Sequence, residues 1–130
     1  MDISRYIGIP YQLGGRSFDG IDCYGLVWLF YRDELGIEIP RYEGNPDEIE
    51  LAEISRLIAG SEEPEWREIP RDQVQLGDVV RLKIMAAHHV GIYIPEGRIL
   101  HSMMKCSSSL EDLSRPRWRK RIWGYFRRAI

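Results

Sequence analysis

Long apolar runs are missing from this 130-residue sequence. No stretch approaches the roughly 20 consecutive apolar residues that a membrane-spanning helix needs, so no membrane span is expected. The N-terminal MDISRYIGIPYQLGG has neither a basic n-region nor a long apolar h-region, which argues against a secretory signal peptide. The chain is therefore expected to stay in the cell that makes it, to leave by lysis or inside an assembly, or to be a processed fragment. Cysteine is scarce: Cys23 and Cys106 are the only two. Two cannot build the dense disulfide framework of small secreted domains, and both are read as thiols. Excess charge of one sign is missing too. The net charge is −2, and no nucleic-acid partner is expected. Internal repeats and low-complexity segments are also absent.

What is present suits one packed domain over residues 1–130. The apolar fraction is 44% and the charged fraction 29%, with four Trp and seven Tyr, a soluble globular balance. The charge is unevenly spread. Residues 1–75 carry 16 acidic and 7 basic side chains, and residues 76–130 carry 4 and 11. Seven of those 11 lie in RPRWRKRIWGYFRR, which reads either as a contact for an anionic polymer or, as favoured here, a strand solvated by its cations.

Hydrophobic periodicity divides the chain. Residues 2–7 suggest a short helix, and IPYQLGGRSFDG reads as loop, broken by Pro10, Gly14, Gly15 and Gly20. Asp22 is a suitable N-cap, and apolar residues at 26, 27, 30 and 35 recur as in a helix from about Cys23 to Leu35, with Gly36 as its stop. A second helix is expected over 46–59, capped by Asn45 with Pro46 in its first turn. SEEPEWREIP is a connector with room for a short strand. QLGDVVRLKI, HVGIYI, RILHSMM and RIWGYFRRAI then read as strands. Helices first and antiparallel strands second indicate an α+β fold.

The chemistry-bearing residues are Cys23, His89 and His101. Cys23 falls in the first turn of the apolar helix, where free N–H groups and the helix dipole favour a thiolate. Asp22 opposes that effect unless capping occupies its carboxylate. A three-residue turn, Pro95–Gly97, with Gly97 left-handed pairs Ile94 with Arg98, Ile92 with Leu100 and Gly91 with His101. His89, Gly91, Tyr93 and His101 then share one face, with His89 diagonal to His101 within imidazole reach. Gly91 is expected to leave space for a helix bearing the cysteine, and His88 to point to the other face without a partner. This arrangement suits a Cys–His nucleophilic site, with His101 orienting His89. A zinc site of Cys23, His89, His101 and Cys106 is the less favoured alternative, because neither cysteine sits in a C-x-x-C pair. Cysteine in a helix is also often plain core packing.

At these residues the chain resembles the NlpC-type family of papain-like cell-wall cysteine peptidases. IGIPYQLGG is similar to the family's Gly-x-Pro-Tyr-x-x-Gly-Gly segment and DCYGLV to its Asp-Cys-Ser-Gly-Leu-Val nucleophile helix. LGDVVRL, HVGIYI and ILHS resemble its Gly-Asp-Leu strand, its general-base strand and the strand of its third catalytic residue. The resemblance implies a papain-like fold with the nucleophile helix packed on an antiparallel sheet. It implies Cys23 as nucleophile, His89 as base, His101 as orienting residue and Tyr11 as a donor to the oxyanion site. Tyr24 stands where the family has Ser, near the pocket that reads the stem peptide, so Asp22 and Tyr24 are expected to contact substrate. Leu13 replaces a customary Trp. No cofactor is implied.

The expected function is a cysteine endopeptidase that cuts peptidoglycan stem peptides next to D-γ-glutamate. GIDCYGLVWLFYRDELGIEIPRY and WGYFRR most resemble the phage-tail branch of the family. That implies tail proteins as partners, and a location in the virion tail or the cytoplasm of the producing cell with action at the wall. The alternatives are an amidase or acyltransferase on the same site, and a tail-assembly protein whose site is vestigial or cleaves a tail protein. The stretch Arg41–Gln75 is expected to be a packed surface segment, with a lid or docking surface as the alternative.

Overall fold

The apolar run after Asp22 forms a buried helix. The computed structural model describes residues 2–41, 66–84 and 87–128. Helix α1, Cys23–Phe30, is buried at all eight positions, which explains why its sequence is apolar nearly throughout rather than striped. The Asp22 carboxylate caps it, accepting the Gly25 N–H at 2.7 Å. Tyr31–Leu35 continues the helix with the wider π spacing, and Gly36 ends it at φ 65°. The helix expected to reach Leu35 is thus one helical run with a loosened last turn. The Tyr31 hydroxyl donates to the Gly77 carbonyl at 2.9 Å and ties that turn to the loop entering the sheet.

Ile3–Tyr6 forms the short N-terminal helix as a 3-10 turn. The segment read as loop contains a small hairpin of β1 (Arg16–Ser17) and β2 (Gly20–Ile21). A Cβ on Gly15 would lie 2.3 Å from the Gly20 carbonyl, so this close crossing requires glycine.

Six strands make an antiparallel sheet: β3 (Trp66–Ile69), β4 (Val79–Ile84), β5 (Ala87–Ile94), β6 (Arg98–His101), β7 (Ser109–Asp112) and β8 (Ile122–Arg128). Their spatial order is β3-β8-β4-β5-β6-β7. The β5–β6 hairpin has the expected register, Ile94 with Arg98 and Ile92 with Leu100. Gly97 is left-handed as expected (φ 70°), and Glu96 joins it at φ 75°. Two further elements, besides the β1–β2 hairpin, that escape the sequence pattern bear on the site. Strand β7 is SLED, an edge strand with little apolar alternation, and α2 (Pro116–Arg119) is a single turn. The helix expected over 46–59 lies outside the described residues, as does most of 41–75.

Strand alternation splits the core. Val79, Val90, Ile92, Ile94, Leu100 and Phe126 pack with α1. Val80, Leu82, Ile99 and Tyr125 form a second cluster on the other face with Leu113 and Trp118. The C-terminal cations are partly structural. Arg127 forks onto Asp78 at 2.7 and 2.8 Å, and the Arg128 guanidinium lies 5.4 Å from the Trp66 ring.

Candidate active site

Three segments meet at one backbone carbonyl. Ile21 O accepts the Gln12 N–H at 2.9 Å and the Ser102 hydroxyl at 3.2 Å. Gln12 follows Tyr11, Ser102 follows His101, and Ile21 lies two residues before Cys23. The carbonyl therefore gathers the chain segments of all three. Tyr11, half-buried, forms a parallel bridge with Ile21. Its segment is held from behind by Ser108, whose hydroxyl donates to Tyr6 O at 2.6 Å and accepts Ile9 N–H at 2.9 Å.

Cys23 opens α1 and is only 3% exposed. It belongs to the same apolar cluster as Val90, the residue after His89. Its position at the helix start is the one where free N–H groups and the dipole stabilise a thiolate.

The two histidines meet as the strand alternation predicts. His89 Nε2 lies 2.8 Å from His101 Nδ1, and the rings cross at 68° with centroids 5.0 Å apart. The chain of contacts runs one step further. His101 Nε2 lies 2.7 Å from Glu111 Oε2. Glu111 pairs with Ile99 across β6–β7 and so stands diagonal to His101, as His89 does on the other side. Trp118 closes the group, edge-on to His101 at 4.9 Å.

This order fixes the tautomers. An ionised carboxylate only accepts, so His101 carries its proton on Nε2. Its Nδ1 is then the acceptor for the N–H of His89 Nε2. His89 is left with a bare Nδ1, the nitrogen able to take a proton from a thiol. Burial, followed by the neighbouring His101, pushes His89 down to about 3, so the ring is neutral at pH 7. Burial also lowers His101, although its hydrogen bond to Glu111 opposes that shift.

Asp22 is committed to the protein itself. Its Oδ1 accepts Gly25 N–H at 2.7 Å and Arg16 Nη1 at 2.8 Å, and its Oδ2 accepts Gly14 N–H at 2.9 Å. Arg16 and Asp22 form an ion pair with side chains 2% and 4% exposed. The pair offsets the negative charge that would otherwise disfavour a thiolate next door. Tyr24 is buried as well. Its hydroxyl donates to the Pro40 carbonyl, and its ring lies 5.1 Å from the Arg16 guanidinium. Asp22 and Tyr24, expected to contact substrate, make bonds that shape the helix start.

Two further expectations need correction. The space over Gly91 is not entered by the cysteine helix: a Cβ there would lie 2.6 Å from Ile99 Cδ1, and α1 packs on the opposite face. Gly91 makes room for its diagonal neighbour in the sheet. His88 does point to the other face, but it has partners, Arg81 Nη2 at 3.2 Å and the Trp123 ring at 5.6 Å. Cys106 is exposed. Among the described residues no group of three or more His, Cys, Asp or Glu side chains could hold a metal ion.

The NlpC/P60 family model matches residues 8–127. The chain belongs to the NlpC/P60 family. The murein DD-endopeptidase MepS/murein LD-carboxypeptidase of Escherichia coli (strain K12) is 28% identical over 115 residues, 88% of this chain and 53% of that protein. The gamma-D-glutamyl-L-lysine dipeptidyl-peptidase of Bacillus subtilis (strain 168) is 30% identical over 113 residues, 84% of this chain and 32% of that one. The crystal structure of an NLP/P60-family protein from Staphylococcus aureus subsp. aureus Mu50 aligns over 97% of this chain and 38% of its own, with a TM-score of 0.67 and 26% identity. The chain thus spans about half or less of the length of these relatives.

Two site residues in this NlpC/P60 chain were not singled out on the sequence. Arg16 has no distinguishing mark beyond lying six residues before Asp22. Glu111 becomes visible only once SLED is recognised as a strand, because its alignment with His101 depends on that register. Glu111→Gln is expected to lower kcat by roughly one to two orders of magnitude with little change in KM. A carboxamide can donate or accept and no longer enforces the tautomer. The loss should be smaller than the ~10⁴-fold seen when the direct partner of a catalytic imidazole is wrong. Steady-state kinetics on a stem-peptide substrate would check this, and unchanged kcat would remove Glu111 from the relay.

Proposed function

We propose that this chain is a cysteine peptidase that hydrolyses peptidoglycan stem peptides through an acyl-enzyme on Cys23. The observation that carries the reading is the His89–His101–Glu111 relay, which leaves a bare nitrogen on His89, while the next residue, Val90, packs in the same apolar cluster as Cys23. In the first half-reaction the Cys23 sulfur attacks the scissile carbonyl carbon while His89 Nδ1 takes the thiol proton. The Tyr11 hydroxyl and the Cys23 backbone N–H donate to the oxyanion. Collapse of the tetrahedral intermediate breaks the C–N bond, and His89 returns the proton to the leaving amine. Water then attacks the thioester, gives a proton to His89, and releases the acid and the free thiol. His101 holds the His89 ring and tautomer throughout.

The Bacillus subtilis relative, a gamma-D-glutamyl-L-lysine dipeptidyl-peptidase, supports a bond next to γ-linked D-glutamate. A role in a phage tail, with tail proteins as partners and action at the wall, belongs to the same proposal and rests on resemblance in GIDCYGLVWLFYRDELGIEIPRY and WGYFRR.

Digestion of purified muropeptides with the parent chain and Cys23→Ala, with products separated by mass, tests the reading. A new amine within the stem peptide, absent with Cys23→Ala, is the expected result. A product freed at the lactoyl–peptide junction would point to an amidase, and a transferred acyl chain to an acyltransferase. Intact muropeptides with both proteins would discard hydrolysis.

A further inference from the structure

On the side of β5 opposite the relay lies a group of cations that, among the described residues, forms no ion pair with a carboxylate. Arg81 and Lys83 alternate onto one face of β4, and Lys83 pairs with His88 across β4–β5. Val90, paired with Arg81, is on the same face and in the cluster that holds Cys23. The β4–β8 register slips between Arg81 and Leu82, and Trp123 sits at that irregularity. A bulge re-aims side chains, and here the Trp123 ring faces the cations. It lies 4.6 Å from the Arg81 guanidinium carbon, 4.8 Å from Lys83 Nζ and 5.6 Å from the His88 ring centroid.

Arg81 is 4% exposed, and its Nε has no hydrogen-bond partner. Its Nη2 donates to His88 Nδ1, so the proton of the neutral imidazole is on Nε2. The group then offers only donors: Arg81 Nε and guanidinium, the Lys83 ammonium and His88 Nε2–H. Glu68 reaches over Gly124, which pairs with Arg81 in β8, yet Arg81 and Glu68 form no ion pair. Burial, then the charges of Arg81 and Lys83, lower His88, as a locally positive potential requires. A buried guanidinium without an anion is costly to maintain unless a ligand completes it. Trp123 is 49% exposed, so the rim of the group reaches solvent.

We propose that Arg81, Lys83, His88 and Trp123 form a subsite for a free carboxylate of the stem peptide, with the indole as its apolar wall. The proposal rests on the peptidase reading for the identity of the ligand. γ-Linkage through D-glutamate leaves that residue's α-carboxylate free, so a stem peptide brings such a group close to the bond to be cut. Arg81 binds the carboxylate by its unfilled edge and Lys83 adds charge above the indole.

The test is a titration of Cys23→Ala by L-Ala-γ-D-Glu-L-Lys-D-Ala and by the same peptide with its carboxylates converted to carboxamides. The readouts are the NMR resonances of the Trp123 indole N–H and Arg81 Nε–H. Both are expected to shift saturably, with the amide peptide binding about tenfold more weakly or worse. Arg81→Met and the half-buried Lys83→Ala should each reduce that preference, and Lys83→Ala covers the case in which Arg81→Met does not fold. Equal affinity for the two peptides, or shifts that bypass both resonances, would overturn the subsite. Because the titration needs no turnover, it decides the subsite even if the parent chain cleaves neither peptide and the peptidase reading falls.

Discussion

His89→Ala is expected to lower turnover on stem peptides by about three to four orders of magnitude, the range of a lost general acid–base group. The same change should alter the chemistry of Cys23 in the absence of substrate. Burial and then His101 hold the His89 ring at about 3 when it has no counter-charge, so a thiolate on Cys23 is sustained below its ordinary pKa only as an ion pair with the His89 imidazolium, whose attraction offsets that burial. Iodoacetamide alkylation of Cys23 is therefore expected to remain fast below pH 7. In His89→Ala it should follow an ordinary thiol, with a pKa near 8.5, and fall about tenfold per pH unit below that. A slow, identical pH profile in both proteins would separate Cys23 from His89 and end the proposed mechanism. The shift also carries a stability signature. The folded value lies below the unfolded 6.5, so the unfolded chain binds more protons between those values. Stability is then level above about pH 7 and falls as the pH drops through 6.5 towards 3, by up to about 1.4 kcal/mol per pH unit for this one ring. Denaturation midpoints at pH 7 and pH 5 should differ less in His89→Ala than in the parent.

How much of this site was legible depended on whether each contact is local. The His89–His101 contact follows from a three-residue turn and a period of two, both written in consecutive residues, and the register is as expected. The helix cap at Asp22 is likewise local. Glu111 is not. It reaches His101 across an edge strand that lacks apolar alternation, so no periodicity announces β7. Arg16 reaches Asp22 through a glycine-dependent crossing whose close approach no pattern of residue types reveals. Gly91 shows the converse risk. A glycine in a strand does mark close approach, but the approaching group is Ile99 from the neighbouring strand rather than the helix. Faces and turns could be read from the sequence, whereas which distant side chain fills a space could not.

Arg16→Met is expected to destabilise the chain by about 3–5 kcal/mol, the cost of leaving one member of a buried ion pair alone. The pair is 2.8 Å apart and almost fully covered. Arg16 also donates from Nε to the Arg41 carbonyl at 2.9 Å and from Nη1 to the Gly15 carbonyl at 2.7 Å. Methionine keeps much of the stem volume and removes all three donors. The uncompensated Asp22 carboxylate would remain in its cap, one residue from Cys23, where its charge disfavours the thiolate. The variant should therefore both denature at lower urea and need higher pH for Cys23 alkylation. The second effect separates electrostatics from packing. Asp22→Asn retains a competent cap and removes the charge, so Arg16→Met combined with Asp22→Asn should recover part of the stability and return the alkylation profile towards that of the parent. A double-mutant cycle measures the coupling directly. A coupling below about 1 kcal/mol would rank the pair with exposed surface salt bridges. It would also leave the loop's glycines, rather than its charges, as what holds Cys23 at the helix start.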